Sequence, residues 1–101
     1  MIESKDILGT WQLKCFEIKG IKTPVCDWRT FLFRKKGTYE ESYFSKQQLI
    51  KAQIAKVWKE EPDGINLYCN DKPAWQVKTL TLTHLSLYNI HDNMLYYLEK
   101  D

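Results

Sequence analysis

At 101 residues the chain is long enough for one domain around one hydrophobic core and too short for two. A hydrophobic fraction of 44% excludes disorder, and four Trp, six Tyr and four Phe supply rings enough to fill a small core. Fifteen cations against 13 anions leave a formal charge of +2 spread along the chain, which excludes the strong basic field that a nucleic-acid partner requires.

No apolar run approaches the ~20 residues of a membrane-spanning helix, so no integral membrane segment is predicted. Met1-Ile2-Glu3-Ser4-Lys5-Asp6 has no apolar signal-peptide core, which fits a cytosolic protein or one whose leader has been removed. Cys15, Cys26 and Cys69 are too widely spaced for a zinc knuckle and form no Cys-x-x-Cys. Three buried thiols are the expected state, with one disulfide plus a spare thiol as the alternative.

Strand-like periodicity begins at Gly9. Over Gly9 to Ile18, Trp11, Leu13 and Cys15 alternate with Gln12 and Lys14, the pattern of a half-buried strand. The phase then slips, because Phe16 and Ile18 are apolar and Glu17 is not; a bulge near Cys15 accommodates the slip. Residues 19 to 27, with Gly20, Pro24 and Asp27, read as a loop. Trp28 to Arg34 is a second strand with Phe31 and Phe33 on one face. Lys35-Lys36-Gly37 suits a tight hairpin whose glycine supplies a positive φ, and Arg34-Lys35-Lys36 reads as its solvated tip rather than a phosphate site. Thr38 to Phe44, rich in aromatic and β-branched residues, is the third strand.

Residues 45 to 59 carry two patterns at once. Leu49, Ile50, Ile54, Val57 and Trp58 can share a helical face, and Ser45 followed by Gln48 resembles a capping box. Against this, Ala52 to Trp58 leads into the turn signal Pro62-Asp63-Gly64, beyond which Ile65, Leu67 and Cys69 alternate with Asn66 and Asn70; a hairpin is the preferred reading. Asn70-Asp71-Lys72-Pro73 is a turn, followed by a strand in which Trp75 and Val77 alternate with Gln76 and Lys78. Thr83 to Asn89 carries Leu85 and Leu87, His91-Asp92-Asn93 turns the chain, and Met94 to Glu99 closes it with Tyr96 and Leu98. About eight short strands joined by hairpin signals predict an all-β, up-and-down antiparallel barrel formed by residues 1–101 as a single domain. Closure removes the two edges that an open meander would expose.

The run Ile7-Leu8-Gly9-Thr10-Trp11-Gln12-Leu13 resembles the opening of lipocalins and of the short bacterial lipocalin-like domains of the wider calycin type. The resemblance continues through Phe31-x-Phe33 with Lys36-Gly37-Thr38, then Val57-Trp58, then Leu80-Thr81 with Leu85-x-Leu87. It implies that Gly9 and Trp11 are structural, with Trp11 packed across the closed base of a barrel. An arginine near the last strand commonly stacks on that tryptophan in the family. Here the only arginines are Arg29 and Arg34, and Lys100 is the C-terminal cation that could sit over the indole.

The second and third strands hold the candidate binding site. A three-residue loop at residues 35–37 sets Phe33 opposite Tyr39, Phe31 opposite Glu41 and Arg29 opposite Tyr43. Arg29, Phe31, Phe33, Tyr39, Glu41 and Tyr43 then share one surface, expected to face inward with Arg29 and Glu41 diagonal across the ladder. The Arg29 fork suits a ligand carboxylate. His84, His91 and Asp92 have no third ligand at recognisable spacing, and no metal site or cofactor is predicted. Catalysis is not predicted either. Gly-x-Ser-x-Gly is absent, and the neighbours in Glu40-Glu41 and Glu60-Glu61 point to opposite faces, so neither pair can flank one bond.

Two function classes follow. One is a non-enzymatic barrel, monomeric or weakly dimeric, that binds a small apolar or amphiphilic ligand such as a fatty acid. The other is a barrel with a filled interior acting as a protein-interaction or protease-inhibitor module. Interior volume separates them, an open cavity near ~300 Å³ or above favouring the first.

Overall fold

The computed structural model describes residues 4–25, 29–45, 48–51 and 56–101, and of Ser4 and residues 43–45 and 48–51 the backbone alone. A 3₁₀ turn, Ser4–Ile7, precedes the strands β1 (Gly9–Ile18), β2 (Ile21–Pro24), β3 (Arg29–Phe33), β4 (Tyr39–Ser45) and β5 (Gln48–Lys51). These are followed by β6 (Lys56–Glu61), β7 (Gly64–Cys69), β8 (Lys72–Leu80), β9 (His84–Asn89) and β10 (Leu95–Lys100). Within the described residues no helix is long and apolar enough to cross a membrane.

Every pairing is antiparallel, in the order β5-β4-β3-β1-β10-β9-β8-β7-β6, with β2 added to β1. Eight of the strands (β1, β3, β4 and β6 to β10) form the up-and-down barrel, and β2 and β5 are short additions to it. The last seam, between β6 and the β3–β4 hairpin, is the thinnest. Among the described residues it shows the Thr38–Val57 bridge, a hydrogen bond from Trp58 N to Gly37 O of 2.8 Å, one from Trp58 Nε1 to Arg34 O of 2.9 Å, and the Lys56–Glu41 pair.

The expected bulge falls where the apolar phase slips. Leu13 pairs with Leu98 and Cys15 with Tyr97, leaving Lys14 as the extra residue. Trp11 and Leu13 before the bulge and Phe16 after it thereby face the interior, although they are not in step in the sequence. The hairpin at residues 35–37 also forms as read, with Arg34 N donating to Thr38 O at 2.8 Å and Gly37 at φ 88°. The hairpin reading of the doubtful stretch holds over the described part: β5 and β6 are strands, and β6 turns through Pro62 and Asp63 into β7. Residues 46–47 and 52–55 lie outside the description.

Two expectations are corrected. The loop assigned to residues 19–27 contains β2, because Lys19 and Gly20 both take positive φ (52° and 80°) and fold the chain straight back on β1. The turn at residues 70–73 is also shorter than expected. Asn70 and Asp71 alone take positive φ, and Lys72 and Pro73 already belong to β8.

The core fills one half of the barrel. Ile7, Trp11, Phe31, Phe33, Tyr39, Leu67, Leu85, Leu87 and Leu98 are buried there. Phe33 and Tyr39 stack with ring centroids 5.6 Å apart, and Phe31 meets Trp75 edge-on at 5.8 Å. Trp11 is wholly buried at the closed end, where its Nε1 donates to Ile7 O at 2.7 Å and ties the 3₁₀ turn across the barrel base. Lys100 is the cation that sits over this indole. Its Nζ lies 4.8 Å above the indole and donates to the Leu8 carbonyl. Gly9 is required here: at φ 111° a Cβ would be strained and would lie 3.1 Å from Cε and Nζ of Lys100.

Candidate functional site

At the opposite end the core is incomplete, although Leu13 and Tyr96 belong to it and Phe16, Val25 and Met94 pack against it. A cavity of about 250 Å³ lies there, lined by Leu13, Phe16, Val25, Arg29, Met94 and Tyr96. Each wall has a local cause. Leu13 and Phe16 face it from either side of the β1 bulge, Arg29 opens β3, and Tyr96 lies on β10 directly across the ladder from Phe16. Val25 and Met94 come from the segments just after β2 and just before β10. Val25 is anchored by its N–H donating to Lys14 O at 3.1 Å.

Four of the six lining side chains are apolar, and the polar pair is joined. Arg29 Nη1 donates to the Tyr96 hydroxyl at 3.2 Å. Tyr96 packs on Trp75, ring centroids 4.7 Å apart, which ties it to the filled half. Burial pushes the Tyr96 hydroxyl above the ordinary tyrosine range, with the charges of Glu41 and Asp92 adding to the rise and Arg29 partly offsetting it. The phenol therefore keeps its proton. It accepts from Arg29 and retains an O–H that can donate to an anionic oxygen beside the guanidinium.

Of the six residues assigned to the binding surface, the register is as read: Phe33 pairs with Tyr39, Phe31 with Glu41 and Arg29 with Tyr43. Arg29 lines the cavity, whereas Phe31, Phe33 and Tyr39 are packed into the filled half. Glu41 faces inward but pairs with Lys56, Nζ to Oε2 at 3.4 Å, the two side chains being 22% and 10% exposed. The side chain of Tyr43 lies outside the described residues. Lys56 stands opposite Cys69 in the β6–β7 ladder, with Nζ 4.0 Å from Sγ and 5.5 Å from the ring centre of Tyr39. The Tyr39 hydroxyl is buried with no hydrogen-bond partner among the described residues. Burial, then the charges of Glu41 and Cys69, push it well above the ordinary tyrosine range.

The remaining candidates fall on the outer surface. His84 is exposed, with Nε2 3.4 Å from Glu99 and Nδ1 2.8 Å from the Thr83 hydroxyl, and His91 is exposed in the β9–β10 turn. Glu40 points outward to Arg34 at 3.3 Å while Glu41 points in, as adjacent strand residues must. Cys15 and Cys69 are free thiols and only partly buried, so full burial does not hold for them. Cys26 lies outside the described residues.

Sequence reading missed most of the cavity wall. Phase alone could have found Phe16, by counting on from the inferred bulge, and Tyr96, which alternates with Leu98. Val25 and Met94 carry no such signal, since they leave regular strands before reaching the cavity. No family model, curated protein or solved structure matches this chain. The lipocalin likeness thus remains a resemblance carried by short segments and by the barrel order.

Proposed function

We propose that this chain is a non-enzymatic barrel that binds a small amphiphilic anion, of the fatty-acid type, in the cavity of its unfilled half. One observation carries the reading: an apolar cup of about 250 Å³ whose polar lining is a guanidinium and a protonated phenol held together. An anionic head seated on Arg29 would receive charge-assisted hydrogen bonds in surroundings of low dielectric, where they are strongest. Leu13, Phe16, Val25 and Met94 offer the apolar surface that a hydrocarbon body needs. The packed half supports the alternative, a solid interaction or inhibitor module. At about 250 Å³ the cup falls short of the ~300 Å³ that separates the two by volume, and what weighs against the module is the Arg29–Tyr96 polar pair set in an otherwise apolar lining.

The test is titration of octanoate against wild type and Arg29→Met, read by isothermal calorimetry. Methionine keeps the apolar stem and removes the fork. Loss of one charge-assisted contact of about 1.5–3 kcal/mol predicts a dissociation constant raised roughly 10- to 150-fold. Equal affinities would move the site away from Arg29, and no binding to wild type would leave the solid module as the better reading.

A further inference from the structure

The β1–β2 ribbon continues past the barrel rim and carries an apolar face in line with the cavity wall. Phe16 lines the cavity, and Ile18, two residues on along a regular ladder, lies on the same face of β1. Ile21 is its direct cross-strand partner and therefore shares that face. Glu17 and Lys22 form the intervening pair and face the other way, where Glu17 accepts from the Tyr97 hydroxyl and Lys22 lies 4.7 Å from the Tyr97 ring. Ile18 is 39% exposed and Ile21 70%, and with Leu82 they are the large hydrophobic residues left exposed among the described residues. Leu82 lies at the opposite end, in the β8–β9 turn beside Thr83, whose carbonyl receives Lys100 N. Two of the three large apolar side chains exposed among the described residues thus extend the wall of the cavity.

Volume gives this extension a purpose. At about 250 Å³ the cup lies below the ~300–1,000 Å³ of clefts that enclose a whole small ligand. With its head on Arg29, a hydrocarbon chain longer than the cup must leave through the rim beside Phe16. We propose that the inner face of the β1–β2 ribbon is a track for the protruding tail of a single-chain carboxylate, with Ile18 and Ile21 covering the methylenes that the cup cannot hold. The ligand class is accordingly a medium- to long-chain alkyl carboxylate rather than a compact aromatic acid. The track rests on the head-binding reading above, and it reaches ~7 Å beyond Phe16 along the strand.

The experiment is a chain-length series of hexanoate, octanoate, decanoate and dodecanoate, each below its micelle concentration, titrated into wild type, Ile18→Thr/Ile21→Thr and Arg29→Met. Threonine keeps β-branching and strand preference while removing apolar surface at exposed positions. For wild type, affinity should keep rising to dodecanoate. Full burial of a methylene gives about fourfold, and one-sided contact about twofold. The double variant should match wild type for hexanoate and stop gaining beyond octanoate, ending roughly tenfold weaker for dodecanoate. Arg29→Met should lower the whole wild-type curve without changing its slope, which separates head from tail. Parallel curves for wild type and the double variant overturn the track, as does a wild-type curve that is flat beyond octanoate. Equal loss of hexanoate and dodecanoate in the double variant also overturns it. If anionic vesicles bind wild type but not the double variant while the carboxylate curves coincide, the tip is a membrane contact and the track is wrong. Failure of every chain length to bind wild type removes the head-binding reading itself.

Discussion

The two halves of this barrel are built on the same ladders yet solve different problems. In the closed half, rings from β3, β4 and β8 pack around Phe31, and the base is tied by Trp11 to Ile7 and by Lys100 to Leu8. In the open half β1 carries Leu13 and Phe16, β3 carries Arg29 and β10 carries Tyr96, which do not fill the lumen, and about 250 Å³ is left. A small eight-stranded barrel can be packed solid or can hold one small ligand. Here each option occupies one end.

Substitutions that break this contrast should separate stability from binding. The largest effect is expected for Trp11→Ala, which removes a wholly buried indole and its bond to Ile7 O; a loss of ~3–5 kcal/mol by denaturant titration is expected. A loss under about 1 kcal/mol would mean that the closed end does not depend on this residue. Next comes Arg29→Met, with the opposite signature: ~1.5–3 kcal/mol of octanoate binding lost, and stability within about 1 kcal/mol of wild type. A large stability loss instead would make Arg29 a packing residue of the core.

Tyr39→Phe should sharpen the contrast from the other side. Its hydroxyl is buried without a hydrogen-bond partner among the described residues, so removing it should stabilise the protein by ~1 kcal/mol at pH 7. The pH dependence has a definite sign. Below the ordinary tyrosine value of 10.0 the hydroxyl is protonated whether the chain is folded or not. Above it the unfolded chain ionises while the folded chain holds the proton, so stability falls as pH rises. Tyr96, raised for the same reason, adds to the fall. Denaturant midpoints between pH 9 and 11 should drop less steeply in Tyr39→Phe than in wild type, and identical slopes would refute the assignment. The smallest effect is expected for Lys100→Met, which removes the ammonium over Trp11 and its bond to the Leu8 carbonyl; ~1 kcal/mol by thermal or denaturant unfolding would fit a half-solvated cation–π contact.

The filled half was the legible one. Alternation through Phe31 and Phe33 and through Leu85 and Leu87, with Trp11 at the start of β1, marks inward positions, and each of these residues is buried. The three-residue hairpin fixed the β3–β4 register to the residue, because a Gly with positive φ leaves few ways to close that turn. The unfilled half was harder to read. Phe16 and Tyr96 were on the page as strand residues, but nothing local says that the lumen widens at their level. Val25 and Met94 reach it from outside the regular strands. Glu41 lies diagonal to Arg29 across the ladder as read, but its ion pair with Lys56, a residue 15 positions on, could not be read locally because it depends on closing the β6–β4 seam.

By itself, then, the sequence determined the strands of the barrel other than β2, a bulge near Cys15 and the register of the β3–β4 hairpin, since period, phase and turn residues are local quantities; the register shifts at Leu67/Tyr68 and Val77/Thr79 left no such mark. Tertiary structure alone decided where the barrel is solid and where it is hollow. That depends on how side chains from strands far apart in sequence meet across the lumen: Phe31 with Trp75, Arg29 with Tyr96, Lys56 with Glu41. Packing across a closed sheet is a property of all eight strands together, and no window of the chain contains it.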